Sequence, residues 1–400
     1  MPELLLLTQR IPYPPIKGEK IRALHILKHL GKHYDVHLGS LIDDPADEEH
    51  VTTVKALCAT SYFARLDRRR AKLTCLSGLL TGEPLSVTFY RDRKLQRWVQ
   101  RTIEMVKPDV VFVFSSNMAP YVLGRLSGEC VSLCDLVDVD SEKWRAYSEK
   151  GTGAMRLVHR REWRKMAKLE ARIAQQFDCS TLVTAEEAAL FRTRLPTFSG
   201  KIHTVPNGVD FAYFDPNIPL QTPYSLDRLN FVFAGAMDYP PNVDAVCWFA
   251  TSILPIIRRS SPDAHFHIVG LNPTQEVRSL VSYPGISVTG RVPDVRPYVA
   301  HATASVAPMR IARGIQNKVL EAMAMGRPVV VTSGALEGIE AVPGRELLVA
   351  NNAEDFAACC IQTGTSDVHA IGLAARARIE RDFSWEGRLR GFDTLLQATT

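Results

Sequence analysis

The chain has 400 residues, of which 46% are hydrophobic and 23% charged, and a formal net charge of +5. That length suits two domains better than one core, and the composition is globular. The mild charge and the lack of a basic-aromatic module argue against a nucleic-acid binder, and no apolar run approaches the ~18 residues that a membrane-spanning helix needs.

The opening "MPELLLLTQRIPYPP" reads as a buried strand and not as a secretory leader. Its apolar run is only Leu4 to Leu7, no basic residue precedes it, and prolines follow at once. "DVHLGSL", "PDVVFVFSS", "CVSLCDLV" and "CSTLVTA" read as further buried strands, with helical patterns at 19–30, 95–105 and 155–177 between them. A second set follows in "LNFVFAGA", "AHFHIVG", "ISVTG", "ASVAP" and "RPVVVTS". Val- and Ile-rich runs separated by helices predict parallel sheets covered on both faces. The expected architecture is therefore α/β, with two doubly wound, Rossmann-like domains. The break falls in the Pro-, Asn- and Asp-rich stretch 205–230. We set the domains at 1–207 and 208–382, with 383–400 as a final helix anchored by Phe383 and Trp385. The eight cysteines are scattered and form no C-x-x-C pair. With no leader, they read as reduced thiols used as small hydrophobes, which points to the cytoplasm.

The first strand-to-helix turn, "RIPYPPIKGEKIRALHILKHL", carries one glycine, Gly18. Dinucleotide enzymes place G-x-G-x-x-G there, so this is no NAD fingerprint. A lone glycine at a helix start can leave amides free for an anion, or it can simply serve the turn. His25, His29, His33 and His37 recur every four residues, as a metal-binding helix face would. Gly31 and the strand-like "YDVHLGSL" should break that helix, so ordinary surface and core histidines are expected.

"DLVDVDSEKWRAY" places Asp138 and Asp140 at a strand end just before a helix. They allow three readings: a metal site against nucleotide phosphates, a helix cap at Asp140 or Ser141, or a polar site facing an acceptor. Ligands of open α/β sheets bind beyond the strands' carboxyl ends, which favours keeping the last. In the helix pattern at 155–177, Met166, Leu169, Ile173 and Phe177 form one stripe. Opposite lie Arg156, Arg160, Arg161, Arg164, Lys165, Lys168 and Arg172. Together with "RLDRRRAK" at 65–72 they suit an anionic lipid surface; the plainer reading is a solvated charged helix.

In the second half, Asn207-Gly208 permits positive φ, and Gly290 permits close approach of backbone to a ligand. "ARGIQNKVLEAMAMGRPVV" spans 312–330. Helical spacing puts Asn317, Lys318 and Glu321 on neighbouring turns of one face. A carboxylate there can accept both hydroxyls of a ribose, while a lysine and amides near 314–316 can meet a diphosphate. The alternative is a surface Lys–Glu pair.

"VPNGVD", "FVFAGAMDYPPN", "VTGRVPDVRPY", "ASVAPMR" and "NKVLEAMAMGRPVVVTSGALEGI" occur in that order. As a set they resemble the retaining GT-B glycosyltransferases of family four, the glycosyl transferase group 1 type, over nearly the whole chain. "LTQRIPYPPIKGEKIRALHIL", "DVDSEKW" and "RIARGIQNKVLEAMA" look like a sub-branch linked to exosortase (PEP-CTERM) exopolysaccharide loci. The resemblance implies two Rossmann-like domains facing a cleft, the first on the acceptor side and the second binding the nucleotide sugar, with the last helix crossing back to the first. By resemblance, Glu321 matches the carboxylate that holds the donor ribose. Gly290 and Arg291 match the loop framing the base, and Gly18 matches the first-domain loop near the diphosphate. Two departures stand out. The family's Glu-x7-Glu has Arg313 at its first position here, and "GAMDYPPN" lacks the Arg and Lys that many relatives carry in that loop. Lys318 and Arg313, with Gly314 and Asn317 beside them, are then the candidates for meeting the diphosphate. An arginine facing the sugar would suit an acidic donor.

The expected activity is hexosyl transfer from a nucleotide-diphosphate sugar to a saccharide or lipid-linked saccharide acceptor, configuration retained, in exopolysaccharide or cell-surface glycan synthesis. Arg313, Asp138 and Asp140 are the candidate catalytic residues. No metal or other cofactor is expected, nor a nucleic-acid partner. The expected location is cytoplasmic, with peripheral contact at the inner face of the membrane. Rival readings are a sugar-nucleotide epimerase of similar architecture and a non-catalytic nucleotide or saccharide binder.

Overall fold

A computed structural model describes residues 1–15, 18–75, 78–79, 82–126, 128, 130–150, 152–225, 227–312, 315–365 and 368–398. The chain divides into two compact units, Met1–Pro206 with Leu389–Thr400, and Asn207–Arg388.

The first unit holds β1 (Glu3–Thr8), β2 (Asp35–Ile42), β3 (Thr60–Arg65), β4 (Val110–Phe114), β5 (Val131–Val137), β6 (Cys179–Leu182) and β7 (Ile202–Thr204). They form one sheet in the order β3-β2-β1-β4-β5-β6-β7, and every pairing is parallel. The central strands lie under helices on both faces, which is why Leu4–Leu7 and Val110–Phe114 are buried without alternation. β3 and β7 had no signal in the apolar runs. β3 is a mostly half-exposed edge strand, and β7 is three residues long.

Asp44, Asp67 and Asp92 cap helix starts in this unit. Asp92 accepts from the Lys94 and Leu95 amides and opens helix Arg93–Val106. Below the sheet's carboxyl edge, Arg22 of helix Gly18–Leu30 is fully buried against Asp135 of β5. It donates from Nε at 2.7 Å and Nη2 at 3.2 Å, and Nη2 also reaches the Val205 carbonyl at 2.8 Å. Thr181 adds a third bond to Asp135 at 2.9 Å. The final helix, Trp385–Ala398, begins in the second unit and ends in the first. There Phe392 packs on Phe112 with centroids 5.0 Å apart, and Asp393 meets His29 at 2.8 Å.

The second unit holds β8 (Asn230–Ala234), β9 (His265–Val269), β10 (Ile286–Gly290), β11 (Ala304–Ala307), β12 (Val329–Val331) and β13 (Leu348–Val349). Their order is β10-β9-β8-β11-β12-β13, again all parallel. The chain is thus two Rossmann-like α/β units, as its apolar runs predicted. Gly208 lacks the positive φ that its Asn-Gly sequence allows. Space is what demands glycine: a Cβ would stand 2.6 Å from the Trp385 backbone. Val209 bonds the Phe383 carbonyl at 2.7 Å beside it, and both aromatic anchors of the final helix are buried.

Each sheet has one place where its strand order reverses: between β1 and β4 in the first unit, and between β8 and β11 in the second. Loops leaving the carboxyl ends of such strand pairs diverge and open a crevice for a ligand.

Candidate active site

In the second unit the crevice is bounded by the loop after β8 and by helix Asn317–Ala324, which follows β11. The course of that loop is set by its own Gly235 and by Gly270 in the turn after β9. A Cβ on Gly270 would lie 1.6 Å from the Gly235 carbonyl oxygen, so the turns after β8 and β9 touch through backbone alone. A Cβ on Gly235 would press on the Asn242 amide at 2.8 Å. Asn242 therefore folds back and donates from Nδ2 to the Ala236 carbonyl at 2.9 Å.

Asn242 then presents Oδ1 to Lys318. The Lys318 ammonium donates to it at 2.8 Å and lies 4.5 Å from the centroid of the Phe233 ring. The predicted cation thus sits against "GAMDYPPN", the loop that lacks cations of its own. Glu321 stands one turn on, half-buried like Lys318. Loss of hydration pulls the Lys318 ammonium down to about 7, with Glu321 opposing that shift. The same cause pushes the Glu321 carboxyl up to about 7, opposed by Lys318. Asn317 Oδ1, at the start of this helix, is buried with no hydrogen-bond partner among the described residues. It can accept from a ligand. Arg313 and Gly314 lie outside the described residues.

Gly290 ends β10 with φ +70, and nothing lies within 4 Å of where its Cβ would be. Its carbonyl accepts from the Gly270 amide at 3.2 Å, which ties this turn to the Gly235–Gly270 contact. Arg291 follows, exposed. The structure therefore brings Lys318 to the loop after β8, and it links the Gly290 turn to that loop through Gly270.

In the first unit, Gly18 is exposed at the start of its helix, and the neighbouring Glu19 carboxylate is engaged by Arg10. The two loops at the reversal point meet where Ser115 Oγ donates to Gln9 Oε1 at 2.9 Å. Ser115 has φ +82.

Asp138 follows Val137, whose φ is +71. The Asp138 amide donates to the Leu136 carbonyl at 3.0 Å, closing a three-residue turn. Positive φ on a β-branched residue is costly, and such strain gathers at functional sites. The turn exposes Asp138 while Asp140 turns inward to accept from Ser116 Oγ at 2.6 Å. Partial desolvation and then repulsion from Glu187 and Asp140 push the Asp138 carboxyl up to about 6. Because Asp138 is exposed, water limits the first of these. Burial likewise raises Asp140.

The helix start after this turn is held from outside. Glu170, in helix Gly153–Gln176, accepts from the Ser141 amide at 2.8 Å and hydroxyl at 2.5 Å. Glu187 accepts from the Val139 amide at 2.8 Å. Ser141 is thus a donor to Glu170 and does not cap the helix with its own side chain. Among the described residues no group of three His, Cys, Asp or Glu side chains has a metal-binding arrangement. The periodic histidines are divided, since the helix carrying His25 and His29 ends at Leu30 and His37 lies in β2.

Sequence reasoning missed Asn242, Glu170 and the strained Val137. An asparagine after two prolines, a helix carboxylate and a strand valine carry no local signal of these roles.

Residues 228–365 match the family model described as Glycosyl transferases group 1. That segment contains the loop after β8, Gly290, Arg291, Arg313, Gly314, Asn317, Lys318 and Glu321. No curated protein matches the chain by sequence. Among solved structures it is similar to sucrose-phosphate synthase from Thermosynechococcus elongatus, with 16% identity, a TM-score of 0.68, and coverage of 100% of this chain and 99% of that one. Anabaena HepE in complex with UDP gives 14% identity and a TM-score of 0.64 over 99% of this chain and 100% of that one. WaaG, a glycosyltransferase involved in lipopolysaccharide biosynthesis, gives 16% identity and 0.64 over 98% and 99%. At these identities the structures share the fold. With the family match over the second unit's site, they put the chain in the glycosyltransferase class.

Proposed function

We propose that this chain transfers a hexosyl group from a nucleoside-diphosphate donor to a saccharide carried on a lipid, with retained configuration, in the synthesis of a bacterial exopolysaccharide or surface glycan. The observation that carries the reading is the placement of Lys318. Its half-desolvated ammonium lies against the loop after β8, one helical turn from the Glu321 carboxylate, at the reversal point of the second sheet. The HepE complex with UDP supports a nucleotide-sugar donor. The lipopolysaccharide role of WaaG supports a surface-glycan acceptor.

In this reading Glu321 accepts the ribose hydroxyls, and Lys318 and the Asn317 region meet the diphosphate. Gly290 and Arg291 frame the base, while Arg313 and Gly314 complete the loop beside the sugar. Gly18 offers amides on the first-unit side, and Asp138 with Asp140 receive the acceptor. The bond from the anomeric carbon to the diphosphate oxygen breaks, and its electron pair leaves with the diphosphate, whose charge Lys318 neutralises. The acceptor oxygen forms the new bond on the same face, and its proton passes to a departing phosphate oxygen. Glu321 and Lys318 act by binding and orientation, which fixed groups supply without rearrangement at the moment of reaction.

The test is a panel of nucleotide sugars with and without lipid-phosphate-linked saccharides, reading nucleoside diphosphate released. Release that depends on acceptor supports transfer. Interconversion of the donor without acceptor, as an epimerase would give, overturns it.

A further inference from the structure

The first unit contains a cavity of about 300 Å³ that the sugar-transfer reading does not use. One wall is helix Gly153–Gln176, and the other is the segment from Gly82 to Arg91 with Pro120 and Leu123. The two walls are locked together. Arg161 donates to the Gly78 and Glu83 carbonyls at 2.5 and 3.0 Å, and Glu162, buried, accepts from the Leu85 amide at 2.7 Å. The cavity is therefore built by specific bonds and is not a gap between loosely packed elements.

Its chemistry is two-sided. The floor is apolar, from Pro84, Val87, Leu123 and Leu169, all buried. The rim carries Lys165, Lys168 and Arg172, with Arg91 bridged to Glu83 at 2.7 Å. Among the described residues, Lys165, Lys168 and Arg172 have no hydrogen-bond or ion-pair partner. Lys165 points to Gly82, whose φ of +75 keeps a side chain out of the cavity mouth. Three unpaired cations over an apolar floor match an ester of phosphate with an apolar body.

The surface beside the cavity extends the same match. Leu157, Arg161, Lys165, Lys168 and Arg172 follow at intervals of four, four, three and four, so they form one stripe about 22 Å long. Leu157 heads that stripe at 68% exposure. The Thr88 hydroxyl bonds the Cys75 carbonyl at 3.1 Å, bringing up helix Arg68–Thr74 with exposed Arg68, Arg69, Arg70 and Lys72 and with Leu73 at 72% exposure. Large aliphatic side chains left in water among exposed cations are what a monotopic face presents to a bilayer. The cations meet anionic headgroups and the apolar tips enter the acyl boundary.

We propose that this face docks on a bilayer containing anionic phospholipid, with one headgroup phosphate seated in the cavity by Lys165, Lys168 and Arg172, and Leu73 and Leu157 inserted beside it. The proposal adds to the lipid-linked acceptor reading a means of reaching that acceptor, but its geometry lies wholly within the first unit.

The test is co-sedimentation of the full chain with vesicles of phosphatidylglycerol mixed into phosphatidylcholine, or of phosphatidylcholine alone, without donor or acceptor. Binding is expected only with phosphatidylglycerol, and it should weaken with salt. Lys168→Glu with Arg172→Glu should weaken it on the order of tenfold or more. Arg97→Glu with Arg101→Glu, the same charge change on helix Arg93–Val106, should leave it within about twofold. Leu73→Ser with Leu157→Ser should reduce binding that persists at high salt. Equal loss in both charge-reversed pairs would mean diffuse attraction and overturn the seated headgroup. So would absence of binding to phosphatidylglycerol vesicles. Soluble glycerol 3-phosphate that binds and fully displaces the protein from vesicles at micromolar levels would assign the cavity to a free phosphate ester instead. Circular dichroism and melting of each variant identify any that fail to fold. Because no sugar is transferred, failure here leaves the glycosyl-transfer reading standing, and the converse also holds.

Discussion

Lys318 and Asn242 are 76 positions apart in sequence and 2.8 Å apart in space, ammonium to amide oxygen. The contact brings a cation from a helix to a segment that has none, and in the proposed reading that cation meets the leaving diphosphate. Lys318→Met should weaken binding of nucleoside diphosphate by about 10- to 100-fold, the range for a hydrogen bond to a charged group. Asn242→Ala should weaken it less, and should add little in the Lys318→Met background. Titration calorimetry of the four proteins measures the coupling. Independent, additive losses would show that Asn242 does not hold the lysine.

Glu321 and Lys318 also set a pH profile. In the proposed roles, Glu321 would accept ribose hydroxyls best when ionised, and Lys318 would attract phosphate only when protonated. With the carboxyl pushed up and the ammonium pulled down, both to about 7, affinity for a nucleotide sugar should peak near neutrality and fall on either side. A nucleotide sugar is the right probe, because its diphosphate diester stays ionised throughout. Glu321→Gln should flatten the acid limb only, and Lys318→Met the alkaline limb only. A flat profile over about two units either side of neutrality would contradict the assignment.

Glu170 links pH to stability. Burial pushes its carboxyl from 4.5 up to about 7 while it holds the start of the helix after Asp138. The folded state therefore keeps a proton that the unfolded state releases. This contribution is fully present below about pH 4.5 and is lost as pH rises to about 7. Urea midpoints at both ends of that window should show wild type losing on the order of 3 kcal/mol relative to Glu170→Gln. Parallel curves for the two proteins would mean that Glu170 is ionised throughout.

Gly270 should tolerate no side chain. Its Cβ would stand 1.6 Å from the Gly235 carbonyl oxygen, which is backbone and cannot swing aside. Gly270→Ala should cost about 1–3 kcal/mol or more by forcing the turns after β8 and β9 apart. It should also lower diphosphate affinity, because the Gly235 turn that Gly270 contacts packs against Asn242. Denaturant unfolding and ligand titration read the two effects, and an unchanged midpoint would contradict the contact.

Much of the fold was legible because buried parallel strands write themselves as short continuous apolar runs. β1, β4 and β5 are of that kind. β3 and β13 are not, since an edge strand and a two-residue strand bury too little to leave a pattern. Lys318 and Glu321 could be found because helical spacing alone puts them on one face. The partner of Lys318 could not, because Asn242 reaches it only through two turns that meet at glycines 35 positions apart. Asp138 was visible as a carboxylate at a strand end. The strain that turns it outward belongs to Val137, and no sequence pattern predicts a valine at φ +71.

The central claim is that the face carrying Lys318 and Glu321 binds a nucleoside diphosphate. Thermal melting with UDP, GDP, ADP and NAD, on wild type and Glu321→Ala, tests it most directly, because a ligand that binds only the folded state raises its melting temperature. The account predicts a selective rise with one nucleoside diphosphate, none with NAD, and loss of that rise in a still-folded Glu321→Ala. A rise with no diphosphate, or one that Glu321→Ala leaves intact, would contradict it.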